Sequence, residues 1–285
     1  MPNSKLLLFG EYSVLHGSAA IAFPYARFSG DLVLPEPGFE GDPAWKESNQ
    51  SLQRLLRYLE SDERIALSEA ILNVDSLREE VQNNLFFLST IPQNYGVGSS
   101  GSLVAAVYNR FGWKNETSPE DLRTRLAFIE SHFHSRSSGT DPLVCYLNRT
   151  VCLKGDEVFF PDITLEELRK FFSIKLIDSG LTGKTKHGVS SFAREPGAFT
   201  GNPDRYFGMY IPLVNGIIDR IINRDLAGLF PEIRELAKLQ LELFAPLFTD
   251  SMMNQAKQKM TDNKGILKLC GSGGGGFYLS ISPVG

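Results

Sequence analysis

The segment best equipped for chemistry is Gly96-Val97-Gly98-Ser99-Ser100-Gly101. Glycines let a backbone approach an anion closely, and serines add hydroxyl donors. The residues that follow, Leu103, Val104, Val107, Tyr108 and Phe111, recur at helical spacing. The loop therefore opens onto a helix, whose first turn offers free N–H groups and a positive dipole end. Together these make a phosphate cradle. A tight turn with serine caps is the plainer reading of the same residues. A second run, Gly271-Ser272-Gly273-Gly274-Gly275-Gly276, lies between two strand-like stretches. So many glycines cost chain entropy that a simple hairpin would not require. Close backbone approach to a ligand would account for them, with a flexible hairpin loop as the alternative.

Several better-known motifs fail on context. Gly96 to Gly101 formally reads G-x-G-x-x-G, but Ile91-Pro92-Gln93-Asn94-Tyr95 does not read as a parallel strand. Asp121 stands at about the distance of a ribose-binding acid, yet no strand precedes it. Gly183-Lys184-Thr185 ends like a Walker A loop, but Asp178 occupies the place of its upstream glycine. There is no nucleophile elbow around Ser100. His132 and His134, two apart, do not share a helix face, so metal ligation by them is not expected. The three cysteines, Cys145, Cys152 and Cys270, form no C-x-x-C. That pattern argues against a disulfide framework or zinc site and fits a reducing cytoplasm.

The elements that must position these loops follow from periodicity. Lys5–Phe9 reads as a buried strand, with Ala19–Phe23 and Asp31–Leu34 as further strands. Trp45–Leu59 places Leu52, Leu55, Leu56 and Leu59 at helical spacing, and Ser76–Leu88 reads as a second helix. Asp121–His132 and Leu165–Phe172 are expected helices, Asp141–Leu153 a mixture, and Ile174–Asp178 a strand. Asp204–Lys259 is mostly helical with breaks near Pro231 and Pro246. Ile266–Leu269 and Phe277–Ser282 are strands on either side of the late glycine run. The mixture predicts an α+β chain. The turn Lys154-Gly155-Asp156 suggests domains over 1–155 and 156–285.

With 285 residues and 22% charged side chains, the chain can bury a core without staples. A net charge of −4 gives no electrostatic case for nucleic acid. The apolar run before Gly10 is too short for a secretory segment, and no stretch is long enough for a membrane span.

Three segments in order resemble the GHMP kinases, their mevalonate kinase branch most. Lys5-Leu6-Leu7-Leu8-Phe9-Gly10-Glu11-Tyr12-Ser13-Val14-Leu15-His16-Gly17 resembles K-x-x-L-F-G-E-H-x-V-x-H-G. Pro92 to Gly101 resembles P-x-x-x-G-L-G-S-S-A, and Lys268 to Gly276 resembles K-x-T-G-A-G-G-G-G. Glu130–Asp141 and Ile177–Val189 resemble two lesser family segments. The departures are Tyr12 for histidine, Gly101-Ser102 for Ala-Ala, Ser135 for glycine, and Ser138 after Ser137 where Pro-Ser is usual. None removes an acid, base or metal ligand.

The resemblance implies a two-lobed fold: a ribosomal S5 domain 2-like N-terminal part and a ferredoxin-like C-terminal part, with ATP and substrate between them. It implies ATP-dependent phosphorylation of (R)-mevalonate to 5-phosphomevalonate with Mg2+, in isoprenoid biosynthesis. Asp141 would accept the hydroxyl proton and Lys5 would favour its charged form. Asn94, Tyr95, Gly96, Val97, Gly98, Ser99, Ser100 and Gly101 would hold ATP, and Ser100 and Glu130 would hold the metal. Glu11, Tyr12, Thr185, Gly271, Gly273 and Gly274 would face the substrate. A homodimer is allowed. Open alternatives are another GHMP enzyme (phosphomevalonate kinase, diphosphomevalonate decarboxylase or a sugar kinase) and a non-catalytic binding protein of the same fold.

Overall fold

The computed structural model describes residues 1–36, 43–134, 137–182, 201–271 and 273–284. They pack into two compact units, each drawn from separate stretches of chain. One comprises Met1–Lys5, Tyr25–Ile91 and Gly98–Asn148; the other comprises Leu6–Pro24, Pro92–Val97 and Arg149–Gly285.

The first unit is mainly helical. It contains α1 (Pro43–Leu59), α2 (Ile65–Ile71), α3 (Val74–Gln82), α4 (Ser99–Phe111), α5 (Pro119–Glu130) and α6 (Thr140–Leu147). In α1 the expected stripe Leu52, Leu55, Leu56 and Leu59 is buried. The helix expected over Ser76–Leu88 ends early, at Gln82. Asn83 and Asn84 stop it, Asn84 with φ at 63°. The buried amide of Asn49 then donates to Val81 O at 3.0 Å and to Leu85 O at 2.7 Å. Phe86–Ser89 becomes strand β3, antiparallel to Val33–Gly30 of the long strand β2 (Ala20–Val33). The Trp45 ring stacks on Phe86 with centroids 4.4 Å apart. Short-range apolar spacing favours a helix there, but strand pairing and this ring contact override it. The two strands expected at Ala19–Phe23 and Asp31–Leu34 are one continuous β2.

The second unit carries β1 (Asn3–Phe9) from Leu6 onward and the first part of β2. Ala20–Ala22 of β2 pairs antiparallel with Leu153–Val151 of β4 (Val151–Lys154). The turn at Gly155 joins β4 to β5 (Glu157–Phe159). Helix α7 (Leu165–Arg169) is closed at its start by reciprocal bonds between Thr164 and Glu167. A second sheet has the antiparallel order β6 (Phe172–Asp178), β8 (Phe277–Pro283), β7 (Ile266–Leu269). Helices α8 (Ile211–Ile222), α9 (Phe230–Leu243) and α10 (Asp250–Thr261) complete the unit, with α9 and α10 packed on β7. A π-helical turn, Tyr206–Tyr210, leads into α8. Pro231 sits in the first turn of α9, where its missing N–H has no helical partner to lose. Among the described residues no helix is long and apolar enough to cross a membrane.

Candidate active site

In the first unit, helix α4 opens behind Gly98, which has φ +84°. Its first helical bond runs from Ser102 N to Gly98 O at 2.9 Å. The amides of Ser99, Ser100 and Gly101 precede that bond, so they have no carbonyl within the helix to satisfy them. Two glycines set what lies against this turn. A Cβ on Gly98 would stand 2.7 Å from Lys5 Cγ. A Cβ on Gly101 would stand 2.9 Å from the Asp141 carbonyl carbon and 3.0 Å from Pro142 N. Without side chains there, Lys5 and the first turn of α6 both close on the start of α4. Lys5 Nζ lies 2.7 Å from Asp141 Oδ2, with the lysine 3% exposed and the aspartate 32% exposed. This is a buried cation paired with a carboxylate that solvent or a ligand can still reach. Such a carboxylate can take a proton from a hydroxyl placed against it.

Glu130 ends α5 and is buried. Its carboxylate accepts from Ser100 Oγ at 3.4 Å and from the Ser137 hydroxyl. Ser137 Oγ in turn accepts from Gly139 N at 2.9 Å, which fixes the turn before α6. Burial and the nearby Asp141 charge push the Glu130 carboxyl up to about 8, against the pull of Ser137, Lys5 and Ser100. Ser100 Oγ also lies 3.1 Å from His134 Nε2. Burial lowers the His134 imidazole below its usual range, so it favours the neutral form. Two carboxylates, two hydroxyls, an imidazole and an ammonium thus meet at one helix N-terminus. The hard oxygens of Ser100 and Glu130 suit a magnesium ion that keeps waters and phosphate oxygens as its other ligands.

The second unit holds Glu11, Tyr12, Asn94 to Val97, Gly271, Gly273 and Gly274 among the sequence-predicted residues. Glu11 and Lys268, both 2% exposed, form a buried ion pair. Lys268 Nζ also donates to Leu269 O at 2.8 Å. Tyr12 has φ at 59° and its ring is buried against Phe244, centroids 6.0 Å apart. Its side chain is packed in the unit's interior. The loop Asn94-Tyr95-Gly96-Val97 lies directly on the late glycine run: a Cβ on Gly96 would stand 2.0 Å from Cys270 O. Phe277 N donates to Tyr95 O at 3.1 Å. Gly274 N is taken by Leu247 O at 2.7 Å. Contact with the chain's own backbone therefore accounts for Gly96, Gly271 and Gly273 as close-approach positions. Thr185 lies outside the described residues.

Sequence reasoning missed three partners. Lys268 stood within a matched segment but carried no expected role, because its partner Glu11 lies 257 positions away. Ser137 had no local signal beyond its place between Glu130 and Asp141. His134 was given no role, because its spacing from His132 argued against metal ligation and its match to a family histidine carried no assignment.

Residues 66–149 match the GHMP kinases N terminal domain. That stretch runs from α2 through α6 and contains Ser100, Glu130 and Asp141. Solved structures then decide the architecture. A crystal structure of L. major mevalonate kinase in complex with R-mevalonate matches at TM-score 0.61 and 16% identity, covering 99% of this chain and 86% of that one. The chain has the GHMP kinase fold. Streptococcus pneumoniae phosphomevalonate kinase in complex with phosphomevalonate and AMPPNP matches this GHMP fold at TM-score 0.63 and 12% identity, covering 100% and 92%. Lactococcus lactis galactokinase complexed with galactose matches at 0.61 and 11%, covering 99% and 84%. No curated protein matches the chain by sequence.

Proposed function

We propose that this GHMP-fold chain transfers the γ-phosphoryl group of ATP to the hydroxyl of a small alcohol, and that the alcohol is (R)-mevalonate. The observation that carries the reading is the Lys5–Asp141 pair, 2.7 Å apart and held against the first turn of α4 by Gly98 and Gly101. Phosphoryl transfer needs positioning and charge neutralisation more than covalent chemistry. Asp141 accepts the proton of the attacking hydroxyl, and that oxygen bonds to the γ-phosphorus as the bond to ADP breaks. The Lys5 charge, 2.7 Å from Asp141 Oδ2, lies beside the attacking hydroxyl and draws electron density from it. The loop from Asn94 to Gly101 and the open amides of α4 hold the phosphates. Ser100 and Glu130 would hold Mg2+, which supplies positive charge to the phosphate oxygens.

The choice of mevalonate is supported by Lys5–Gly17, the segment with the fullest match to the mevalonate kinase branch. The fold is shared equally with relatives that carry phosphomevalonate or galactose. An ADP-release assay with Mg2+ and ATP, run over mevalonate, phosphomevalonate, diphosphomevalonate and galactose, tests the assignment. Mevalonate is expected to give the highest kcat/KM. Preference for another alcohol would replace the substrate and keep the chemistry. ATP binding with every alcohol inert would replace the chemistry as well.

A further inference from the structure

Ser100 Oγ stands between two donors, Glu130 Oε1 at 3.4 Å and His134 Nε2 at 3.1 Å. In an octahedral site with ligands at 2.0–2.1 Å, adjacent donor atoms lie about 2.9 Å apart. Both observed separations are therefore near what one cation would need, with only a small closure of each side chain. Local geometry explains how the imidazole gets there. The chain keeps turning past the end of α5, with Phe133 N donating to Glu130 O at 2.9 Å. That turn carries His134 to the Ser100 hydroxyl, which Glu130 also reaches. Glu130 supplies a carboxyl oxygen from a buried position.

We propose that His134 gives an imidazole nitrogen to the same divalent cation that Ser100 and Glu130 hold. The protein's donor set is then one nitrogen and two oxygens. The proposal rests on the phosphoryl-transfer reading for its cation, but it concerns binding and is tested as binding. A nitrogen donor shifts preference from Mg2+ toward cations further along the divalent series, such as Mn2+ and Co2+.

Mn2+ is the probe, added to the full chain with a non-hydrolysable ATP analogue. Pulsed electron paramagnetic resonance compares protein carrying 15N-histidine with unlabelled protein, which separates imidazole from adenine nitrogens. The expected result is a histidine 15N coupling that disappears in His134→Ala, with Mn2+ affinity falling about ten-fold. His134→Gln serves the same purpose if the alanine variant does not fold. Bound Mn2+ without histidine coupling, or a coupling that survives both substitutions, overturns the proposal. So does a failure of Mn2+ to bind. ADP release from the same samples separates the two claims. Turnover without coupling removes His134 from the donor set and leaves the phosphoryl transfer. Coupling without turnover on any alcohol does the reverse.

Discussion

Gly101→Ala tests whether the close approach of α4 and α6 is what places the carboxylate. The added methyl would lie 2.9 Å from the Asp141 carbonyl carbon, 3.0 Å from its Cβ and 3.0 Å from Pro142 N, where ordinary contact begins at 3.4 Å. Two of those three atoms are backbone, so relief requires α6 to move by roughly half an ångström rather than a rotamer change. Overpacking of this kind costs about 1–3 kcal/mol. Alanine returns about 0.8–1.0 kcal/mol of helix propensity at the same position. The net loss of stability is then about 0–2 kcal/mol, readable by urea unfolding. Activity should suffer more. A misplacement of about 1 Å costs about 100-fold in rate, so half of it should lower kcat about ten-fold while ATP binding holds. Gly216 in α8 is the control, since nothing lies within 4 Å of a Cβ built there. Gly101→Ala with wild-type kcat and an unchanged KM for the alcohol would refute the reasoning.

Other outcomes follow from the same structure. Asp141→Asn should abolish ADP release while ATP still binds, because the amide cannot accept the hydroxyl proton; turnover near wild type would remove Asp141 from its role. Lys268→Met alone should destabilise the fold by about 3–5 kcal/mol by taking the ammonium from the buried Glu11 carboxylate, whereas Glu11→Gln with Lys268→Met should recover most of that loss. A double-mutant cycle by chemical denaturation checks this, and additive losses would contradict it. Gly216→Ala should raise stability by about 0.5–1 kcal/mol, seen as a higher melting temperature. The cysteines are buried, with burial and the nearby Asp219 charge pushing the Cys152 thiol up to about 11. Because its pKa is raised, this group stays a thiol at neutral pH and gains reactivity only as pH climbs toward that value. A thiol reagent at pH 8 should therefore label nothing until denaturant is added; rapid labelling of the native protein would show an open core.

Local signals carried much of the fold. The leucine spacing of α1, the helix opening behind the serine loop, and the strands on either side of the late glycine run were readable because their causes lie within a few residues. Strand β3 was not, because its cause is non-local: Asn49 reaches Val81 and Leu85 from 32 and 36 positions away. The same division holds at the site. Lys5, Ser100, Glu130 and Asp141 were named from sequence, and the structure brings them together in one unit. Tyr12 was placed near the substrate, but nothing in its own segment announces the Phe244 ring against which it packs. The discontinuous make-up of the two units was likewise invisible. It depends on β2 pairing with β4 through one half and with β3 through the other.

Strand β8 lies between β6 and β7, although it is made after both. During synthesis the two outer strands must wait, with edges unsatisfied, for a central partner that leaves the ribosome last. Glu11 waits longer still, for a partner 257 positions further along the chain. The second unit therefore cannot close vectorially. Its nascent form exposes strand edges until β8 is made, the state most open to chaperones and to aggregation.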